Sequence, residues 1–169
     1  LIVTDGAINI APTLDEKADI CQNAIDLART FGVERPKVAI LAAVETVTSK
    51  MPATIDAAAL CKMAERGQIT GGLLDGPLAF DNAISAEAAK VKKITSLVAG
   101  DPDILLAPDL EAGNMVAKQL SFLANADSAG LVLGARVPII LTSVRSKVAS
   151  CAVAVLAAHA RRQGQPSAA

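Results

Sequence analysis

Short runs that are apolar at nearly every position, set between helix-length segments, restrict this chain to one class of architecture. Leu1 to Thr4, Val38 to Val44 and Ile104 to Ala107 show no alternation of apolar and polar side chains. A strand of that kind is covered on both faces, as happens in parallel sheets flanked by helices. The intervening segments carry helical signals. Thr13 with Glu16 three residues on is a capping-box signature. Ile20, Ala24, Leu27, Ala28 and Phe31 then share one face of a helix that Gly32 should stop.

Further helices are expected from about Thr54 to Arg66, Ser85 to Lys93, Gly113 to Asn125 and Arg145 to Arg162. Strands are expected at Ile69 to Leu74, closing at Asp75-Gly76-Pro77, and at Ala129 to Leu133 and Pro138 to Leu141. Gly71 and Gly72 fall inside the first of these. The alternation predicts one compact α/β unit with a mainly parallel sheet and helices on both faces. At 169 residues the chain can bury a proper core.

Composition removes several functions. Apolar residues make up 52% of the chain, yet it has three Phe and no Trp or Tyr, too few aromatics for a base-stacking surface. A net charge of -1 supplies no field for a nucleic-acid backbone or an anionic membrane. No apolar run reaches membrane-spanning length, and no charged-then-apolar leader opens the chain. A soluble, cytoplasmic protein is the expectation. Cys21, Cys61 and Cys151 are widely spaced and the single His159 completes no metal set, so no metal is expected and the thiols read as reduced core residues. No G-x-S-x-G elbow, P-loop or dinucleotide glycine fingerprint is present.

In sheets of this kind, ligands bind beyond the carboxyl ends of the strands. The segments expected there are Asp5-Gly6-Ala7-Ile8-Asn9, Glu45 to Met51, Asp75 to Leu78, Asp81, Pro108-Asp109 with Asn114, Gly134-Ala135-Arg136, and Thr142-Ser143. Singly, each has an ordinary reading: Asp5-Gly6 and Asp75-Gly76 as turns, Asp109 as a helix cap, Asn114 and Lys118 as a solvated pair. Clustered at one sheet edge, they predict a binding cleft.

The wording of five segments, in order, resembles the phosphate acetyl/butyryltransferase family. They are L-I-V-T-D-G-A-I-N-I-A-P, K-M-P-A-T-I-D-A-A-A-L, L-L-D-G-P-L-A-F-D-N-A-I-S, D-P-D-I-L-L-A-P-D-L-E-A-G-N and G-L-V-L-G-A-R-V-P-I-I-L-T-S. The resemblance implies a two-domain α/β/α fold similar to isocitrate and isopropylmalate dehydrogenases. Residues 1–141 would form the second domain, and 142–169 a return segment and helix packing towards a first domain not contained in this chain. It implies a homodimer, and direct transfer of an acetyl or butyryl group between coenzyme A and inorganic phosphate in a ternary complex. Acyl-CoA, phosphate and acyl phosphate would be the partners, with no bound cofactor.

Carried over by position, Ser143 is the serine that steadies developing charge, and Asp5, Asp81, Asn114 and Lys118 fall on cleft positions. Gly6 stands where many acetyltransferases carry a cysteine. Gly134 and Arg136 form the polar corner of the G-A-R segment and join the substrate-binding set. Relatives continue I-I-L-T-S with R-A-D-S, whereas here Ser143 runs straight into Val144-Arg145-Ser146. That is shorter by about four residues, one helical turn. Arg145 is the arginine left to approach the site. A non-catalytic or regulatory domain binding acyl-CoA is the alternative. A dehydrogenase of similar fold lacks an evident carboxylate cluster and nicotinamide loop.

Overall fold

The computed structural model describes residues 1–137, 139–141 and 147–164. Its centre is a four-stranded sheet in the order β1-β4-β2-β3, formed by β1 (Ile2–Thr4), β2 (Lys37–Leu41), β3 (Leu73–Leu78) and β4 (Ile104–Leu106). All its pairings are parallel, with Ile2, Val3 and Thr4 opposite Ile104, Leu105 and Leu106. The apolar strands are covered on both faces. Val38, Ile40, Ile104 and Leu106 pack with Cys21, Ala24, Ile25, Ala57 and Leu60. Those partners belong to α1 (Leu14–Thr30) and α2 (Pro52–Glu65). The alternate residues Ala39, Leu41 and Leu105 pack with Ala83 and Val98 on the opposite face.

Helix α1 begins where its cap demands. The Thr13 amide donates to Glu16 Oε2 at 2.7 Å and the Glu16 amide donates to Thr13 Oγ1 at 3.4 Å, closing the capping box. Helix α2 starts at Pro52 rather than Thr54, because proline at the first helical position is already set to the helical φ. Lys17 of α1, only 6% exposed, meets Asp56 of α2 at 2.6 Å. Removing one partner of such a pair strands a buried charge. Asp56→Ala is therefore expected to cost about 2–3 kcal/mol in urea unfolding, towards the low end because Asp56 keeps contact with water. The double change Lys17→Met with Asp56→Leu should recover most of that loss. A single variant as stable as the parent would make the pair decorative.

The structure corrects three expectations. Strand β3 runs through Asp75-Gly76-Pro77 instead of ending there, and Gly71-Gly72 precede it. Proline is tolerated because β3 is an edge strand, whose outward groups need no ladder partner. A short helix, α3 (Phe80–Ile84), precedes α4 (Ala86–Val91), which Ser85 caps by accepting from the Ala88 amide. Helix α5 (Leu110–Phe122) starts three residues before Gly113, capped by Asp109, whose carboxylate accepts from the Ala112 amide at 2.8 Å. Strands β5 (Leu131–Val132) and β6 (Ile139–Ile140) pair antiparallel in a separate ribbon. Helix α6 (Lys147–Gly164) packs against both and against α1. Ser150, fully buried, accepts from the Gly130 amide at 3.0 Å and ties this helix to the ribbon.

Candidate active site

Because the four strands are parallel, the loops after β1, β2, β3 and β4 open at one edge. The β1 loop is the most tightly organised. Asp5 Oδ1 accepts from the amides of Ala7 and Ile8 at 2.8 and 3.0 Å, and Oδ2 from the Asn9 amide and Asn9 Nδ2 at 2.8 and 2.7 Å. Partial burial pushes the Asp5 pKa up. The amides of Ala7, Asn9 and Ile8 and the Asn9 side chain outweigh it and hold the carboxyl below its ordinary value. An ionised carboxylate that saturated makes a poor proton acceptor at neutral pH.

This loop is pressed against α5, which follows β4. A Cβ on Gly6 would come within 3.2 Å of the Gly113 carbonyl, and one on Gly113 within 2.2 Å of the Asp5 carbonyl oxygen. Asn114 Nδ2 donates to the Gly6 carbonyl at 2.9 Å, and the Leu110 amide to the Ile10 carbonyl at 3.1 Å. Asp5 and Asn114, 109 residues apart in sequence, thus stand side by side.

On the far side, Lys92 joins the β2 loop to α3. Its ammonium lies 3.2 Å from Glu45 and 3.3 Å from Asp81. The Asn82 amide and Lys92 hold the Asp81 carboxyl low, and Glu45 first, then Asp81, hold the Lys92 ammonium high. Buried Asn82 also donates to Glu45 at 3.4 Å. A depression of about 320 Å³ beside this cluster is lined by Asp81, Ser85, Glu87, Ala88, Val91 and Lys92. The β2 loop is fixed at its other end by Thr54, fully buried. Its hydroxyl lies 3.0 Å from the Thr48 carbonyl and 2.8 Å from that of Met51, and it accepts from the Thr48 amide at 2.9 Å. The sequence reading singled out none of Thr54, Asn82 and Lys92. The M-P-A-T wording held the only hint, a threonine placed to turn back onto a helix start.

The remaining sequence-derived residues are dispersed. Lys118 is exposed, with Nζ 6.0 Å from the Phe122 ring centroid, one turn further along α5 from Asn114. Gly134 has φ +86°, a conformation glycine adopts freely, and packs on Asn23 of α1. Asn23 lies nine residues beyond Leu14, the start of α1, about 13 Å along the helix axis. Gly134 and exposed Arg136 therefore belong to the β5–β6 ribbon, not to the edge that carries Asp5 and Asn114. Ser143 and Arg145, with Thr142, lie outside the described residues. Burial pushes the Cys21 and Cys61 thiols up to about 12, as core residues require, whereas Cys151 is exposed on α6. Among the described residues no three His, Cys, Asp or Glu side chains converge as a metal site would need, and no helix is long and apolar enough to cross a membrane.

A parallel α/β sheet with its polar loops gathered at one edge is the setting of an enzyme or ligand-binding cleft. The model of the family described as phosphate acetyl/butaryl transferase matches residues 1–158, and the chain belongs to that family. It is 66% identical to the phosphate acetyltransferase of Rhizobium meliloti, over 99% of this chain and 54% of that protein. It is 51% identical to a probable phosphate butyryltransferase of Bacillus subtilis, over 94% of this chain and 54% of that protein. A branched-chain phosphotransacylase from Enterococcus faecalis has a similar structure, with a TM-score of 0.83 and 34% identity over 92% of this chain and 57% of that one. The chain thus spans about half the length of the curated relatives it matches.

Proposed function

We propose that this chain forms one wall of the cleft of a phosphate acyltransferase. The enzyme moves an acetyl or butyryl group between coenzyme A and inorganic phosphate by direct transfer in a ternary complex. The observation that carries the reading is the 66% identity to a phosphate acetyltransferase across nearly the whole chain. The junction of Gly6 with Gly113 supports it, since it brings the D-G-A-I-N and E-A-G-N segments together.

In this reading Ser143 steadies the charge that develops on the acyl phosphate, with Arg145 as the cation nearest to it in sequence. Preorganised donors and charges of that kind dominate acyl transfer. Asn114 and Asp81 sit at the cleft edge, and Lys118, Gly134 and Arg136 serve substrate from further out. The alignment with the Rhizobium meliloti protein has 172 positions against 169 residues here, so at least three positions of that relative have no counterpart. This is in keeping with a shortened segment after Ser143. Residues 1–141 form the second domain in this reading, and 142–169, which include α6, the return segment and helix towards a first domain. A two-domain fold like that of isocitrate dehydrogenase, a homodimer and a cytoplasmic location complete the proposal.

The test is an assay of the purified protein with acetyl-CoA or butyryl-CoA, following free thiol release with and without phosphate. Release that requires phosphate is the expected result. Stabilisation of the protein by acetyl-CoA with no release would instead favour a non-catalytic, acyl-CoA-binding domain.

A further inference from the structure

We infer that Asp5 is a positioning residue of this cleft, acting on substrate only through the loop and helix it holds in place. The inference rests on the acyltransferase reading above and deepens it. A carboxylate offers about four acceptor sites on its two oxygens. Asp5 has all four in use, two on each oxygen, and every donor comes from residues Ala7 to Asn9. Neither oxygen is left for a substrate. The same bonds turn the three amides inward, so this loop cannot cradle a phosphate with its backbone. What it turns outward is the exposed surface of Ala7 and Ile8, the latter 51% exposed. Apolar side chains suit an acyl chain or a pantetheine arm, not an anion.

The effect of Asp5 travels one step further. The β1–β4 ladder ends just before it, with the Ala107 amide donating to the Thr4 carbonyl at 2.7 Å. Beyond that point the loop has no strand partner, and Asp5 supplies its order. The ordered loop then receives α5 through the Gly6–Gly113 contact and the Asn114 bond to Gly6. Asn114 therefore stands where Asp5 sets it.

The test compares Asp5→Asn and Asp5→Ala with the parent in the purified protein, using acetyl-CoA and phosphate and correcting rates for the folded fraction. Asparagine keeps one acceptor oxygen and alanine none. A misplacement of 1 Å can cost about 100-fold. Asp5→Asn is expected to lower kcat/KM about tenfold and Asp5→Ala about 100-fold, chiefly by raising KM for acetyl-CoA. The pH profile of kcat should keep its shape, because Asp5 transfers no proton. If Asp5→Ala fails to fold, Asn9→Ala carries the test. It removes one donor from the carboxylate and should raise the same KM severalfold. Loss of the acid limb of kcat in Asp5→Asn would make Asp5 a proton acceptor and overturn the inference. Lowered thermal stability with KM and kcat unchanged would also overturn it, leaving Asp5 purely structural. If the parent shows no phosphate-dependent turnover, the acyltransferase reading falls and the inference with it.

Discussion

Gly113→Ala is expected to destabilise the protein by about 3 kcal/mol, more than any other single methyl group added at this sheet edge. The new Cβ would lie 2.2 Å from the Asp5 carbonyl oxygen, 2.9 Å from its carbon and 3.1 Å from the Gly6 Cα. Those are backbone atoms, and they cannot swing aside as the tip of a lysine could. The Asp5 carbonyl is held between the β1–β4 ladder and a loop with four internal bonds, so α5 is the partner that must move. Its displacement breaks the Asn114–Gly6 and Leu110–Ile10 hydrogen bonds, each worth about 1 kcal/mol. Overpacking adds about 1–3 kcal/mol, and the better helix propensity of alanine returns only about 1. In a domain of this size the net loss corresponds to a fall in Tm of about 6–12 °C, read by circular dichroism. A Tm within 2 °C of the parent, about the smallest shift one kcal/mol gives, would mean that the junction opens freely.

The residues of that junction also mark where sequence reasoning succeeded and where it stopped. The strands β1, β2 and β4 were legible because a parallel strand buried on both faces has no polar positions to confuse it. Helix α1 was legible because Thr13 and Glu16 signal their cap locally. Strand β3 was misplaced because Gly76-Pro77 carries the local signature of a turn, and only its position at the sheet edge permits a proline there. Gly113 likewise resembles a helix start. It lies inside α5 because the Asp5 carbonyl occupies the space a side chain would fill, a contact between segments more than 100 residues apart. Family wording placed Asp5 and Asn114 in a cleft, but nothing in it told a ligand from a support. The four bonds on Asp5 draw that distinction. Lys92 and Asn82 escaped notice for a related reason, since their partner Glu45 is distant in sequence and no spacing rule joins them. Gly134 and Arg136 were assigned to the common edge on the assumption that every strand joins one sheet. The antiparallel pairing of β5 with β6 removes that assumption.

Ser143→Ala is the change expected to affect chemistry most while leaving the fold intact. In the function proposed above, Ser143, at the end of the I-I-L-T-S segment, is the serine that steadies charge on the transferring group. Losing one preorganised donor of this kind commonly costs about 100- to 1,000-fold. At least about a tenfold fall in turnover is therefore expected. The interaction strengthens as charge develops, so kcat and kcat/KM should fall together and KM should change little. The test extends to Arg145, the arginine nearest to Ser143 in sequence and separated from it by Val144. If Arg145 steadies the same charge, Arg145→Ala should reproduce much of the Ser143→Ala loss. The double variant should then lose less than the product of the two, as groups acting on one charge are coupled. Steady-state kinetics with acetyl-CoA and phosphate on the three variants would read this directly. An unchanged rate in Ser143→Ala would remove the serine from the mechanism. Additive losses would give Arg145 a separate task, such as holding the coenzyme A phosphates.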